Sequence, residues 1–344
     1  MLQRLMEMMD IAKVESRFLS LLELLNQPEN QYIKEFQSYR FVKKILANKS
    51  MMLKYIDLKT SDIRYVKKFI KGKTLIDAGC GSGSFSILLS LLGAKKVFAV
   101  DYVADSVEMT RAFANIANIK NITAIHSDIG KLDLPNDSID GIFSIEAISH
   151  YQNCNSFFSM ASKVLKDNGF LFIRDGNNKL SRYIRKRNYR IWDVFENYRD
   201  PITLFGYEKK GACYLDMRKK IIKDEFPDLS EEALEKFAKY TFAYCKERII
   251  MAVSSFIKGD FSLKSEYTYG KCPLNPETDC YMEYLFDPIY LKRKLRHFGF
   301  RSKVISRGPA NRNLRLLRYF WELFSPVTIF LLGGFQIIAI KTSG

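Results

Sequence analysis

The sequence predicts an α/β fold, with a seven-stranded sheet that carries helices on both faces. Three observations lead to this prediction. Strand-like apolar runs alternate with helix-like runs from residue 61 to residue 175. Glycines at alternate positions follow an acid in the first strand–helix turn. Two more strand-like runs, at 302–306 and 335–340, supply the last two strands. Such alternation is typical of a parallel sheet wrapped on both sides.

Residues 1–60 precede the alternation and predict a helical cap at the N-terminal side. The run FLSLLELLNQ is apolar at helical spacing, and a loop around Pro28 interrupts the pattern. A further helix is predicted at 61–70, where the chain enters the sheet.

The core of the predicted fold covers residues 61–175. Its strands are predicted at 74–78, 96–101, 122–127, 139–145 and 170–174, and its helices at 84–92, 105–117 and 155–165. In such a sheet the carboxyl ends of the parallel strands meet at one edge, and ligands bind there.

The alternation stops at residue 176. Residues 176–287 are basic and mostly helical in pattern, with a clear helix start where Ser230 precedes two acids. Because this insert leaves from the carboxyl end of strand five, we expect it to lie over the ligand-binding edge and recognise the substrate. Residues 288–344 complete the core with a helix at 287–300 and the last two strands, which flank an inserted basic, aromatic helix.

The 344 residues carry a formal charge of +16, most of it after residue 175. Such a field favours an anionic partner, which could be nucleic acid, phospholipid head groups or a phosphorylated substrate. Basic and bulky apolar residues recur at helical spacing in 312–324, a pattern that suits a peripheral membrane contact. The alternative for this helix is packing on the domain with a solvated basic edge.

The six cysteines form no C-x-x-C pair, and the chain has only three histidines, so no metal site is expected. The start MLQRLMEMMDIAK carries charges every few residues and is not typical of a signal peptide. We therefore expect reduced thiols and a cytoplasmic location. The longest apolar run, 319–341, is broken by Glu322, Pro326 and Gln336. We interpret it as a helix, a turn and a buried strand, although its length alone would allow a membrane span.

The turn after the first strand, TLIDAGCGSGSFSILLS, indicates which ligand the sheet serves. A Walker-type phosphate loop requires Gly-Lys-Ser/Thr at its end, which this run lacks. A dinucleotide-binding turn requires a glycine at the sixth position, where this chain has Ser84 or Ser86. The remaining pattern is an acid placed two residues before the first of three alternating glycines.

This pattern, Asp77-x-Gly79-x-Gly81-x-Gly83, resembles the first motif of the class I S-adenosylmethionine-dependent methyltransferases. Further matching segments follow in order: Asp101 at the end of strand two, HSDI with Asp128, LPNDSIDGIFSIEAISHY and VLKDNGFLFIRD. The resemblance covers 62–175 and 288–344. It implies a Rossmann-like fold, methyl-transfer activity and S-adenosylmethionine as the cofactor.

The resemblance also implies that the cofactor is bound by Asp77, Gly79, Gly81, Gly83, Asp101, Tyr102, Asp128 and Ile129. The glycines would let the backbone approach the methionine part, whose carboxylate the following helix N-terminus favours. Asp77 would hold the ammonium group directly or through water, and Asp101 would hold the ribose hydroxyls. Asp128 would accept from the adenine amino group, with Ile129 against the ring. For Asp101 and Asp128 the alternative is helix capping.

Residues 144–151 resemble the Glu-x-x-x-His segment of the sterol, tocopherol and sugar methyltransferases, a branch of that family, and contain the candidate catalytic residues His150 and Glu146. His150 is the candidate general base, since an unperturbed imidazole titrates near neutral pH. Glu146 would orient the acceptor or touch the cofactor, and Asp175 at the end of strand five is a reserve base. A packing or capping role for His150 and a structural role for Glu146 stay open.

The favoured methyl acceptor is a hydroxyl on a small molecule, a glycan or a lipid-linked precursor. Enzymes that methylate exocyclic amines of nucleic-acid bases carry Asn/Asp-Pro-Pro-aromatic where this chain has SIEA. Cys154 follows Asn153, whereas the cysteine of RNA cytosine enzymes usually follows a proline. Nucleic acid is therefore the less favoured partner. Two alternatives remain: an RNA methyltransferase that uses the basic insert, and a subunit that binds the cofactor without transferring methyl groups.

Overall fold

The structure is a computed structural model that describes residues 2–62, 66–205, 207–260, 272–308, 314–331 and 333–342. Within these ranges the strands are β1 (Thr74–Ala78), β2 (Lys96–Asp101), β3 (Ile122–His126), β4 (Ile139–Ile145), β5 (Leu165–Asp175), β6 (Ile202–Leu204), β7 (Tyr207–Lys209), β8 (Phe300–Ser306) and β9 (Phe335–Lys341). Seven of them form one sheet in the order β3-β2-β1-β4-β5-β9-β8. The predicted Rossmann-like, seven-stranded sheet is confirmed.

One strand of this sheet, β9, runs opposite to the other six. β1 to β5 are parallel, while β9 lies antiparallel between β5 and β8. In the strand register, Asp77 is paired with Ala99 of β2 and Phe143 of β4, and Asp101 is paired with His126 of β3. The carboxyl ends of the parallel strands therefore line up along one edge, as such sheets require for ligand binding.

The helices in the described ranges are α1 (Leu2–Leu24), α2 (Tyr39–Lys43), α3 (Lys49–Asp62), α4 (Ser84–Leu91), α5 (Ala104–Ile116), α6 (Cys154–Val164), α7 (Arg182–Asn197), α8 (Tyr214–Glu225), α9 (Glu231–Tyr240), α10 (Lys246–Ile257), α11 (Pro288–His297), α12 (Arg315–Leu323) and α13 (Ser325–Thr328). On one face of the sheet, α1, α3, α4 and α5 bury apolar residues such as Leu22 and Phe113. On the other face, α6 and α11 bury Phe158 and Leu295. Each helix contributes an apolar stripe, and the two layers enclose the sheet.

Short polar side chains fix where several helices begin. The side chain of Asn153 accepts hydrogen bonds from the first amides of α6, and that of Asp287 does the same for α11. Ser230 accepts from the amide of Ala233 at the start of α9, so the helix start predicted there is confirmed.

The entry into the sheet differs from the prediction of a helix at 61–70, which was wrong. α3 ends at Asp62, residues 63–65 lie outside the described ranges, and a single 3₁₀ turn, Lys67–Phe69, follows. Gly72 has a left-handed φ of +73°, and its amide donates to the carbonyl of Gly93 at 2.8 Å. This tight connection directs the chain into β1.

Two other elements differ from the predicted bounds. β5 begins at Leu165, because that residue already pairs with Ile139 across an irregularity in the β4–β5 register. The insert contains the hairpin β6–β7, which its mostly helical pattern did not predict. Phe205 in the turn between these strands has a positive φ of +51°.

About half of the described residues in the insert, 176–287, are helical, and α8, α9 and α10 share a core around Ile222, Leu234 and Ile249. Its last stretch, 272–286, runs back across the carboxyl edge of the sheet. There the amide of Tyr284 donates to the carbonyl of Ser149 at 2.9 Å. The division of the chain into 1–60, 61–175, 176–287 and 288–344 stays a prediction.

The apolar run 319–341 contains the end of α12, then α13 and β9. Its interpretation as a helix, a turn and a buried strand is confirmed. No helix in the described ranges is both long enough and apolar enough to cross a bilayer. The basic, aromatic helix predicted at 312–324 corresponds to α12, while Arg312 lies outside the described residues.

Candidate active site

The three glycines between β1 and α4 have positive φ angles of +78°, +53° and +76° at Gly79, Gly81 and Gly83. A Cβ on Gly79 would lie 2.4 Å from the Cβ of Ala147, and one on Gly83 would lie 2.7 Å from Oγ1 of Thr110. A Cβ on Gly81 would meet nothing within 4 Å. Gly79 and Gly83 therefore permit close packing inside the protein, whereas Gly81 presents its backbone to open space.

Asp101 ends β2 beside this loop. Its carboxylate oxygens accept hydrogen bonds from the amides of Gly81 at 2.8 Å and Val103 at 2.9 Å. A carboxylate offers about four acceptor positions, so capacity remains for hydroxyl groups. Burial raises the pKa of Asp101, although the two amides oppose this effect. Helix capping alone does not describe Asp101, because α5 has Val103 at its N-cap and the Asp101 side chain also fixes the loop.

Asp128 and Ile129 follow β3 on the same edge. Oδ1 of Asp128 accepts from the amide of Gly130 at 2.8 Å and caps a 3₁₀ turn, so the capping alternative describes one of its oxygens. Ile129 is buried in the core beside β3, so it offers only a small surface to an adenine ring. Tyr102 is 44% exposed, and its hydroxyl donates to Asp279 of the insert at 3.5 Å.

Asp77 lies beneath the glycine loop and is only 2% exposed. It accepts a 2.5 Å hydrogen bond from the hydroxyl of Ser86, a contact that ties it to α4. Burial raises the pKa of Asp77 to about 6, against the lowering effects of Ser86 and Lys59. With so little exposed surface, Asp77 fits contact with an ammonium group through water better than direct contact.

These residues fit the cofactor that the resemblance implies. Gly81 gives open backbone at the amino end of α4, where a carboxylate is favoured. Asp101 retains acceptor capacity for ribose hydroxyls, and Asp128 retains it for an adenine amino group. The candidate residues from three separate strands thus lie along one edge of the sheet.

The N-terminal helices also reach this edge. The hydroxyl of Tyr55 in α3 shares a 2.5 Å hydrogen bond with Oγ of Ser84, the first residue of α4. Nζ of Lys59 lies 5.4 Å from the ring centre of Tyr55 and 5.6 Å from that of Phe85. Its positive charge favours the ionised form of Asp77. α3 therefore covers the loop and contributes a cation to it.

His150 lies in a 3₁₀ turn, Ile148–His150, directly after β4. Its Nδ1 lies 2.7 Å from the carbonyl oxygen of Tyr281, in the returning part of the insert. Because a carbonyl only accepts, Nδ1 carries the proton and the neutral ring has its lone pair at Nε2. The side chain is 37% exposed, so Nε2 belongs to a ring that remains accessible.

Glu283 lies next to the imidazole of His150 and is a functional candidate that the sequence did not predict. Its Oε1 lies 3.7 Å from Nε2 of His150, and its Oε2 accepts a hydrogen bond from the side chain of Asn177. Burial opposes protonation of His150, but Glu283 and the Tyr281 carbonyl outweigh it and raise the pKa of the imidazole. No local pattern identifies Glu283, because the fold alone brings it to His150 from more than a hundred residues away.

Glu146 leaves β4 with a positive φ of +53° and a side chain that is 41% exposed. It pairs with Arg174 at 3.2 Å and Arg307 at 3.4 Å, and it accepts from the amide of Gly176 at 2.9 Å. Enclosure opposes ionisation of Glu146, but the two arginines outweigh this effect and lower its pKa. These contacts join the ends of β4, β5 and β8, which favours the structural role for Glu146.

Asp175 has no exposed surface. It accepts from the amides of Asn177 at 2.8 Å and Ser149 at 3.3 Å. Burial, with the nearby charges of Glu146 and Glu283, raises the pKa of Asp175 to about 7. Because an acceptor cannot reach a fully buried carboxyl group, this placement favours a positioning role, in which Asp175 holds the turn before His150, over the role of reserve base.

Taken together, the described residues can bind an extended cofactor along the sheet edge and accept a proton at Nε2 of His150. No group of three or more His, Cys, Asp or Glu residues in the described ranges is arranged to hold a metal ion. The carboxylates that gather here instead surround one imidazole and two arginines.

Comparison with known proteins identifies a related domain. A family model described as a methyltransferase domain matches residues 70–236. The chain is 33% identical over 125 residues to the mitochondrial ubiquinone biosynthesis O-methyltransferase of Dictyostelium discoideum, covering 33% of this chain and 39% of that protein. It is 32% identical over 166 residues to the ribosomal protein L11 methyltransferase of a Thermoanaerobacter species, covering 46% and 47%.

The chain spans about half, or less, of the length of these curated relatives. Among solved structures, a SAM-dependent methyltransferase from Archaeoglobus fulgidus aligns over 89% of this chain and 100% of its own. The sequence identity in that alignment is 15% and the TM-score is 0.45.

Proposed function

Because the chain belongs to the class I S-adenosylmethionine-dependent methyltransferases, we propose that it methylates a hydroxyl group of a small molecule, a glycan or a lipid-linked precursor. Bound S-adenosylmethionine supplies a methyl group activated on a sulfonium centre. The residues that would hold it are Asp77, Gly79, Gly81, Gly83, Asp101, Tyr102, Asp128 and Ile129.

The orientation of His150 is the observation that carries this proposal. A hydroxyl becomes an effective nucleophile when a base takes its proton. Nδ1 of His150 donates to the Tyr281 carbonyl at 2.7 Å, so Nε2 is the nitrogen that can accept the proton. Glu283, at 3.7 Å from Nε2, then stabilises the positive ring. His150 is thus the catalytic base, and Glu283 is a positioning residue that acts through it.

Positioning supplies the larger part of the rate in a methyl transfer of this kind, because the reacting atoms must be held in line. The returning segment 272–286 contributes here. Its backbone amides at Tyr281, Tyr284 and Phe286 donate to carbonyls of the 149–150 turn and of Asn177. These bonds fix a cover on the acceptor side of the sheet, which suits a small, enclosed acceptor.

The relatives support this class of acceptor without fixing it. One is named as an O-methyltransferase of ubiquinone biosynthesis. Another is named as a methyltransferase of ribosomal protein L11, so protein belongs among the acceptors to be tested.

The acceptor class can be tested with purified protein, methyl-labelled S-adenosylmethionine and a cell extract separated into lipid, polar small-molecule, protein and RNA fractions. We expect label in the lipid or the polar small-molecule fraction. Label confined to RNA or protein would contradict the proposal. Absence of transfer to every fraction, together with tight cofactor binding, would favour a subunit that only binds the cofactor.

The base can be tested once labelling is detected. His150→Gln should lower kcat by roughly a hundredfold or more while cofactor affinity stays unchanged. His297→Gln, on an exposed residue of α11, is the matched control and should keep full activity. An unchanged kcat in His150→Gln would exclude this residue as the base.

Glu283 is distinguished from a structural residue by the pH profile. Activity that depends on neutral His150 rises with pH through the pKa of the imidazole. Since Glu283 raises that pKa, Glu283→Gln should move the acidic limb of the profile to lower pH and reduce kcat by roughly tenfold. A loss of activity with no movement of the limb would leave Glu283 a structural role only.

A further inference from the structure

The segment 314–331, which contains α12 and α13, exposes an unusual amount of apolar surface. We call it the apolar face. Its side chains Leu316, Tyr319, Phe320, Leu323, Phe324 and Val327 are between 54% and 77% exposed. Contiguous apolar patches of this kind on soluble domains commonly mark sites of interaction.

The orientation of α12 explains this exposure. Arg318 of this helix is 5% exposed, and Nε1 of the half-buried Trp321 donates to the hydroxyl of Ser306 at 2.9 Å. A Cβ on Gly308 would lie 3.0 Å from the Cα of Arg318, so the helix lies directly on the chain that follows β8. The side of α12 that carries Arg318 therefore faces the protein, and the side that carries leucine and phenylalanine faces outward. An ordinary surface helix has the opposite arrangement.

A basic helix adjoins the apolar face. Oγ of Ser181 donates to the carbonyl of Leu331 at 2.5 Å, and the side chain of Asn178 donates to the carbonyl of Ile329 at 2.7 Å. These bonds join the start of α7 to the end of the apolar face. Arg182, Arg185, Lys186 and Arg190 of α7 line one shallow groove with Tyr189 and Asp193. Tyr183 and Tyr189 are 55% and 51% exposed.

We propose that the apolar face and the basic side of α7 together bind the surface of a bilayer that contains anionic phospholipid. The outward leucines and phenylalanines would enter the boundary between head groups and acyl chains, and the arginines and lysine of α7 would contact the anionic head groups. Exposed tyrosines suit the membrane interface, where one end of the ring is apolar and the other is wet.

The charge of the adjoining helix favours lipid over the other occupants of an apolar face. A second copy of this chain would bring the same basic α7 and the same charge of +16 to the contact, so like charges would meet. An anionic bilayer complements both parts of the surface at once. This binding does not depend on methyl transfer, so it can be measured without an acceptor.

The test is flotation of the full chain with vesicles of phosphatidylcholine, alone or mixed with phosphatidylglycerol. We expect binding to the mixed vesicles that weakens as salt screens the head-group charge, and little binding to phosphatidylcholine alone. The triple variant Leu316→Ser, Leu323→Ser and Val327→Ser should bind at least roughly tenfold more weakly. The pair Met251→Ser and Ile257→Ser, on exposed residues of α10, is the matched control and should bind like the wild type.

A charge variant tests the basic part separately and does not alter the apolar face. Arg182→Glu with Lys186→Glu should lower affinity for the mixed vesicles roughly tenfold and reduce its dependence on salt. A melting temperature equal to that of the wild type confirms that each variant is folded.

Two outcomes would overturn the proposal. One is wild-type protein that fails to float with the mixed vesicles. The other is sedimentation showing a stable dimer that the triple variant abolishes, which would assign the apolar face to a second copy of the chain.

Discussion

Gly81 and Gly83 lie two residues apart in one loop, yet a methyl group added to each would meet different surroundings. At Gly83 it would lie within 2.9 Å of Thr110, including the Cα of that residue, whereas at Gly81 it would meet nothing within 4 Å. Both positions have left-handed φ angles, so either substitution carries backbone strain on the order of 1 kcal/mol. The steric clash at Gly83 comes in addition to that strain.

Comparison of Gly81→Ala with Gly83→Ala separates packing from ligand binding. Gly83→Ala should lower the melting temperature clearly more than Gly81→Ala does. Gly81→Ala should lose S-adenosylmethionine affinity by roughly tenfold or more, because the added methyl group occupies the space in front of the backbone. Calorimetry with S-adenosylmethionine and thermal unfolding measure the two effects. Wild-type affinity in Gly81→Ala would contradict a close approach of the cofactor at this glycine.

At this scale the sequence identifies residues that act within a short segment. The acid and glycines of 77–83 and the acids at 101 and 128 occupy strand ends, and each can be recognised from its neighbours in the chain. Glu283 cannot be recognised in this way, because its relation to His150 exists only after the insert returns across the sheet edge. The burial of a side chain also cannot be predicted from its neighbours in the chain. Asp175 is the last residue of its strand, as Asp101 is, but it has no exposed surface.

Among the elements, the helical insert contains a buried charge that makes its stability testable. Arg218 of α8 is fully buried, and its Nε donates to the carbonyl of Ala238 in α9 at 2.8 Å. Its two terminal nitrogens pair with the carboxylate of Glu196 in α7. A single side chain therefore holds three helices together.

Arg218→Ala should destabilise the insert by about 3–5 kcal/mol, because it leaves Glu196 enclosed without its partner. Denaturant unfolding followed by the fluorescence of Trp192, one of the two tryptophans and itself in α7, measures the change. The double variant Arg218→Met with Glu196→Gln, which leaves no buried charge, should recover part of the loss. Equal stability of Arg218→Ala and the wild type would show that the pair contributes nothing.

The bounds of most helices and strands are predicted well by the periodicity of apolar residues. The strands of the sheet and helices α4, α5, α6 and α11 lie within a few residues of their predicted bounds. Differences occur where a contact with a distant part of the chain decides the bounds. The amide of Gly72 donates to the carbonyl of Gly93 in the turn before β1. Leu165 pairs with Ile139, and this pairing extends β5 toward its N-terminal end. Neither partner can be identified from the local pattern.

For the whole molecule, the buried carboxyl groups set how stability changes with pH. The pKa of Asp175 in the folded protein is about 7, well above the ordinary value of roughly 3.9 that applies to the unfolded chain. A raised pKa means that the folded state holds the proton more tightly. The resulting stabilisation is complete below about pH 4 and is lost as the pH rises through 7.

Asp175→Asn should therefore gain stability relative to the wild type as the pH rises from about 5.5 to about 8.5, by on the order of 2 kcal/mol. Thermal unfolding at both pH values measures the difference. Asp133→Asn, which removes an equal charge from a side chain that is 91% exposed, is the control and should follow the wild type. Parallel behaviour of Asp175→Asn and the wild type would contradict the raised pKa.

The position of β9 between β5 and the edge strand β8 has a consequence for synthesis of the chain. β5 ends at Asp175, but the strand that covers its free side begins about 160 residues later, at Phe335. At ordinary rates of translation this interval lasts roughly ten to thirty seconds. During that time the nascent protein holds an apolar strand with unpaired backbone groups, the kind of edge from which aggregation starts. Truncation before Phe335 would make this temporary edge permanent, so we expect such a chain to accumulate as insoluble protein or to remain bound to chaperones.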